Sequence, residues 1–350
     1  MSFGRLQLLS ALGKTRRLFS LFFLLPNLEK NLMFAACPDK AAVERAWLEH
    51  TVLWVTVVGI IMATGLCSTW EDPGLMALGA SLAATTYWFP RWRLQMASRR
   101  QRRVKNHTTD EAAVSTLNAM FLGVVVLSLG MNYFQTPFFF DVLHMKFGFR
   151  ATWRIDRNPV FLYLLTIPYF ATYAACGCVA FRACARLLGA PPARVTAASS
   201  SASSSSLLVR RPSWLLHGAV IFLIATALAF FETLLNDNPF ISNLFCYNDK
   251  FLALTFGSVC YGVSFVLALP VWLWYGGVHE GGVRGANAVS SMPRHVSWRQ
   301  SVACNAVVVI VDAIILHAIR MYVAPFFTVV VNQADPSGGC LTPEPVWRLF

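Results

Sequence analysis

Three clusters of polar side chains interrupt otherwise apolar runs of this chain. One holds Asn132, Tyr133, Phe134, Gln135 and Thr136, the second Phe231, Glu232, Thr233, Asn236 and Asp237, and the third Asp312, His317 and Arg320. Glu232 follows a stretch, Ser213 to Phe230, whose sole ionisable side chain is His217. An ionisable group within an apolar run is costly to bury, so each is a functional candidate by default, and the chemistry open to it is proton transfer or ion pairing. His317 and Arg320 lie three apart and Asp312 and Arg320 eight apart, spacings read as one helix face that pairs Arg320 with Asp312 or His317. Simpler roles stay open. Asp312 and Arg320 as a pair let a helix insert, His317 serves as a hydrogen bonder between helices, and Asn132 with Tyr133 fits an interfacial belt.

The elements that must position these clusters are membrane spans. Of 350 residues 56% are hydrophobic and 13% charged, with a mean hydropathy of +0.53. Soluble domains average about 25% charged residues, so an ordinary water-exposed globule is excluded, and so is a disordered chain. Runs long enough to cross about 30 Å of hydrocarbon lie at Ala46 to Cys67, Gly74 to Phe89, Ala112 to Phe134, Pro159 to Phe181, Ser213 to Leu235, Phe251 to Tyr275 and Ser301 to Val331. None alternates with period two, so the chain reads as an all-α polytopic membrane protein of about seven helices. Of the 29 Lys and Arg, 22 fall on the side of the N-terminus and 6 on the other, with Arg320 inside the last span. The positive-inside rule then makes the N-terminus cytosolic and puts all three polar clusters near the opposite face. The basic run Arg91 to Lys105 reads as a topology signal, not a nucleic-acid site, because no fold surrounds it to present bases to.

Nine cysteines show no zinc-site spacing; Cys176 and Cys178 would point to opposite helix faces. Only Cys246 and Cys340 fall on the non-cytosolic side, where a disulfide between them is open. Residues 1–32 form an N-terminal extension that fits a signal peptide, a transit peptide or an interfacial helix. Residues 33–345 form one multi-span domain, interrupted by a flexible Ser-rich linker at 189–212.

The strings MNYFQTPFFFDVL (131–143), FFETLLNDNPF (230–240), SFVLALP (264–270) and IILHAIRMYVAPFF (314–327), then GCL (339–341), resemble the cycloeucalenol cycloisomerase family. There the patterns are GNYF with FF and VL downstream, LET, a helix carrying LWR and GP, and NCL. ACPDKAAVER (36–45) and TWRIDRNP (152–159) add to the likeness, which runs in order over roughly residues 34–345. Met131 stands in place of the family's glycine, Pro137, Ile167 and Ala174 in place of histidines, and His317 in place of an acid.

The resemblance implies a sterol isomerase of the endoplasmic reticulum membrane. Such an enzyme opens the 9β,19-cyclopropane of a 4-methyl sterol such as cycloeucalenol, giving the Δ8 sterol obtusifoliol. Its partners are the sterol and the bilayer, with no cofactor, metal or nucleic acid, and the oligomeric state is open. A proton adds to C19, positive charge develops at C9, and a proton leaves C8. A carboxyl in hydrocarbon stays protonated, which suits it to so feeble a base as a cyclopropane. Glu232 is the first choice as acid, with Asp312 and His317 as further catalytic candidates. Tyr133, Phe134, Phe140 and Trp153 are candidate ring faces for the cation. Asn132 and Thr233 would anchor the sterol hydroxyl or orient Glu232, and Arg320 would position. A sterol double-bond isomerase is the nearest alternative. A lipid-binding or transport protein is another, although spans 1 to 3 and 5 to 7 share no repeated polar pattern.

Overall fold

A computed structural model describes residues 34–35, 37–102, 109–188, 214–236, 241, 244–247, 249–275, 296–323, 327–329 and 347–349. The helices are α1 (Pro38–Ala63), the single turn α2 (Leu66–Thr69), α3 (Asp72–Arg102), α4 (Thr109–Asp141), α5 (Val160–Leu187), α6 (Trp214–Asn236), α7 (Lys250–Trp274) and α8 (Trp298–Tyr322). The strands are short: β1 (Met145–Phe147), β2 (Arg154–Ile155), β3 (Asn158–Pro159), β4 (Phe245–Tyr247), β5 (Phe327–Val329) and β6 (Trp347–Leu349). They pair antiparallel as β1 with β4, β2 with β3 and β5 with β6.

Local chemistry marks the helix ends. Pro38 begins α1 with Asp39 in its first turn, and Gly65, at φ 71°, supplies the left-handed residue that separates α1 from α2. Ser297 and Gln300 form a reciprocal capping box at the start of α8. Asp249 accepts from Leu252 N at 2.8 Å to start α7, which then passes through a π-helical turn, Ala253–Gly257.

Side-chain contacts sort the helix ends into two layers. At one end Lys40 Nζ donates to the Leu273 carbonyl at 2.9 Å, Arg182 binds Glu44, and Arg93 grips Glu49 at 2.6 and 2.8 Å. Ser301 Oγ reaches the Ala119 carbonyl there at 2.6 Å, and Phe181 lies against His217. At the other end Asp72 accepts from Thr152 and Trp153, and Arg157 and Arg320 both hold Asp141, at 2.8 and 2.6 Å. The β1–β4 pair ties the connection leaving α4 to the connection leaving α6. The seven long helices therefore run alternately between the two ends. Six of them are long and apolar enough to span a membrane, and the protein is an all-α polytopic integral membrane protein. The exception, α3, carries Arg91, Arg93 and Arg99 in its second half, which is why its apolar stretch stops at Phe89.

Several boundaries depart from the sequence reading, the ends of α3 at Arg102 and of α4 at Asp141, and not at Phe89 and Phe134, among them. The first span begins at Pro38 and not Ala46, because the bundle interior pairs Lys40 and Glu44, both fully buried. The last helix ends at Tyr322 and not Val331, and β5 comes after it.

Cys246, in β4, is disulfide-bonded, while seven other cysteines, Cys37 among them, are free; Cys340 lies outside the described residues. A disulfide fits an oxidising compartment beyond the β1–β4 end, in agreement with the charge asymmetry. Tags at Ser203 and at the C-terminus are accordingly expected to report opposite sides of the membrane. Finding both accessible from the cytosol contradicts this sidedness.

The helices α4 and α8 pack closest where glycine allows it. A Cβ on Gly123 would collide with the Tyr275 hydroxyl and stand 2.5 Å from both Asn305 Nδ2 and Ser301 Oγ. These groups form a buried cluster, Tyr275 Oη to Ser301 Oγ at 2.7 Å and Asn305 Nδ2 to Tyr275 Oη at 2.5 Å. Gly123→Ala is expected to cost about 1–3 kcal/mol by overpacking, read as a lower yield of folded protein. An unchanged yield and unfolding midpoint would contradict that packing.

Candidate functional site

A cavity lies between α4, α5, α6 and α7 near the β1–β4 end. Its walls are largely apolar and aromatic, with Phe139, Phe147, Phe149, Leu165, Phe170 and Leu244 among them. Helical periodicity selects the lining. From α4 come Asn132, Gln135, Thr136 and Phe139, and from α5 Leu162, Leu165, Thr166 and Tyr169, each set at i, i+3, i+4 and i+7. From α6 come Glu232, Thr233 and Asn236, and from α7 Tyr261.

Among the described lining residues Glu232 alone carries a carboxyl group. The phenols of Tyr173 and Tyr261 lie near its carboxyl group, while its Oε2 is sealed from solvent with no hydrogen-bond partner. Thr233 is buried and donates to the Ala229 carbonyl at 2.9 Å, so its hydrogen is spent within its own helix.

Asp312 lies behind the cavity wall, 1% exposed. Its Oδ1 accepts from Ser264 Oγ at 2.8 Å and its Oδ2 from Gln135 Nε2 at 2.9 Å. Gln135 Nε2 also donates to Ser264 Oγ at 2.6 Å, so both amide hydrogens are used and the carbonyl oxygen of this lining residue is left over.

A second polar network borders the cavity. Asn132 Nδ2 donates to the Ser128 carbonyl at 2.7 Å and to Thr166 Oγ1 at 2.5 Å, and its Oδ1 accepts from Asn158 Nδ2 at 3.3 Å. Asn158 is held in place by the β2–β3 hairpin, whose turn residues Asp156 and Arg157 have φ of 45° and 68°. Arg157 is anchored on Asp141 and lies over the Phe140 ring at 4.9 Å.

The structure divides the residues singled out from sequence. Glu232, Asn132 and Thr233 meet at the cavity, with Asp312 joined to it through Gln135. Tyr133, Phe134, His317 and Arg320 instead line a separate groove between α4 and α8, with both aromatic rings and His317 exposed. Phe140 touches the cavity-lining Phe147 at 5.5 Å between ring centres, and Phe139 takes the lining position expected of it. Trp153 is 54% exposed in the loop that Asp72 ties down.

Arg320 pairs with Asp141 and not with Asp312 or His317. Eight residues at about 100° each leave Arg320 some 80° around α8 from Asp312, which faces inward. Sequence reasoning missed Asn158, Thr166, Tyr169, Tyr173 and Tyr261. The tyrosines sit in apolar runs and register as hydrophobic, and Asn158 belongs to a loop.

The fold and site thus define a polytopic membrane protein with a largely apolar cavity and one carboxyl group lining it among the described residues. No protein-family model, curated protein or solved structure matches the chain.

Proposed function

We propose that this protein is a membrane isomerase that opens the 9β,19-cyclopropane of a cyclopropyl sterol by protonation and deprotonation. The observation that carries the reading is Glu232, a carboxyl group in a largely apolar cavity with the phenols of Tyr173 and Tyr261 nearby. The resemblance of the quoted strings supplies the substrate, and the cavity supplies the chemistry.

In this reading the Glu232 proton passes to C19, the C9–C19 bond breaks, and C9 becomes cationic. The carbonyl oxygen of Gln135, locked by Asp312 and Ser264, offers a negative dipole, and Tyr169, Phe170 and Phe139 offer ring faces. A proton then leaves C8, its C–H electron pair forming the C8–C9 double bond. The Glu232 carboxylate formed in the first step is the base at hand, so one group serves both transfers and is restored. Asp312 acts by positioning Gln135, while His317 and Arg320, in the outer groove, take no part.

A sterol substrate and a disulfide beyond the β1–β4 end fit the endoplasmic reticulum membrane with that end in the lumen. The test is to express the full chain in cells supplied with cycloeucalenol and identify the sterols formed. Accumulation of the Δ8 product is expected. Unchanged cycloeucalenol would overturn the reading, and a sterol altered only in double-bond position would favour the double-bond isomerase.

A further inference from the structure

The hydrogen bonds around the cavity have a direction that its lining residues alone do not reveal. Backbone carbonyls only accept, so they fix every donor that touches them. The Leu162 carbonyl takes the Thr166 hydroxyl hydrogen at 3.0 Å, and Thr166 Oγ1 in turn accepts from Asn132. The Ser128 carbonyl takes the other Asn132 hydrogen, which leaves Asn132 Oδ1 to face the Asn158 amide. Asn158 therefore turns its amide nitrogen toward Asn132. Its Oδ1 is buried with no hydrogen-bond partner, on a side chain of a cavity-lining residue that is 4% exposed.

An acceptor stranded in this way costs free energy until a donor reaches it. Four other polar groups of the cavity wall share the bias: the hydrogens of Gln135, Asn132, Thr166 and Thr233 are spent inside the protein. We propose that the cavity selects a lipid alcohol, whose free hydroxyl donates to Asn158 Oδ1, over the matching ketone or ester. This deepens the isomerase reading, on which the sterol skeleton rests, and it shifts the hydroxyl anchor from Asn132 and Thr233 to Asn158. Asn132 is then a positioning residue that holds the Asn158 amide in one orientation. A ketone places a second acceptor against the first and leaves both unpaired, the kind of mismatch a hydrogen-bonding site rejects strongly.

The experiment measures binding of cycloeucalenol and its 3-ketone to the purified full chain in lipid nanodiscs. The alcohol is expected to bind at least about tenfold tighter. Asn158→Leu brings the alcohol down to the level of the ketone and leaves the affinity for the ketone within about twofold, whereas Asn158→Asp, which keeps an acceptor, retains the preference. Equal affinities in the unaltered protein, or a preference that survives Asn158→Leu, overturn the proposal. The unaltered protein decides the matter even if a variant fails to fold. Preference for the alcohol without any conversion would defeat the isomerase reading alone, and equal binding with normal conversion would defeat this one alone.

Discussion

Glu232→Gln lowers conversion of cycloeucalenol per folded protein by about 10²–10⁴-fold, the range that loss of a general acid brings. Glutamine keeps the size and one hydrogen-bond acceptor, but its amide has no carboxylic proton to give. A purely structural role makes the opposite forecast, because a neutral amide is cheaper to bury than a carboxylate and the variant would fold as well or better. Binding of the sterol is expected to survive within a few-fold, since the hydroxyl is held elsewhere. The measurement is product formed per folded protein beside sterol affinity. Turnover near that of the unaltered protein removes Glu232 as the acid.

The largest effect on stability is expected far from the cavity. Glu44 accepts from Arg182 and from the Ala35 amide at 3.3 Å, and lies 3.7 Å from Lys40 Nζ, all at the end of the bundle where α1 begins. Lys40 and Glu44 are fully buried and Arg182 nearly so. Removing this anion breaks a buried ion pair by taking away one partner, which costs about 3–5 kcal/mol. Glu44→Ala is therefore expected to fall well below the unaltered protein in thermal unfolding in detergent, while the molecules that remain folded convert sterol normally. An unchanged unfolding midpoint would show that the cluster is not needed for stability.

Much of the architecture was legible from hydropathy because a bilayer imposes it. Runs of apolar residues must become helices there, and six of the seven proposed spans coincide with helices that are long and apolar enough to cross. What hydropathy concealed was charge compensation. Lys40 and Glu44 pushed the predicted start of the first span two turns too late, since sequence alone does not place Arg182 and the Leu273 carbonyl beside them. The site was legible in part. Glu232 stands out because nothing near it in sequence explains a carboxyl in an apolar run. Grouping neighbours such as Asn132, Tyr133 and Phe134 misled, because consecutive residues of a helix face different ways. The period of 3.6 separates Asn132, Gln135, Thr136 and Phe139, which face the cavity, from Tyr133 and Phe134, which do not. The partners of Arg320 and Asp312 depended on helix packing and could not be read from spacing along α8.

The most direct test of proton transfer from the protein to carbon is to run the reaction in D₂O and locate the label. The full chain in nanodiscs is first equilibrated with D₂O, so that the Glu232 carboxyl carries deuterium, and then supplied with less than one equivalent of cycloeucalenol, so that no carboxyl passes on a proton it has just taken from C8. Ring opening by the proposed route leaves one deuterium in the new C19 methyl group of the Δ8 product, found by mass spectrometry and NMR, and Glu232→Gln forms none of it. Product with no deuterium at C19, or cycloeucalenol recovered unchanged from folded protein, would contradict it.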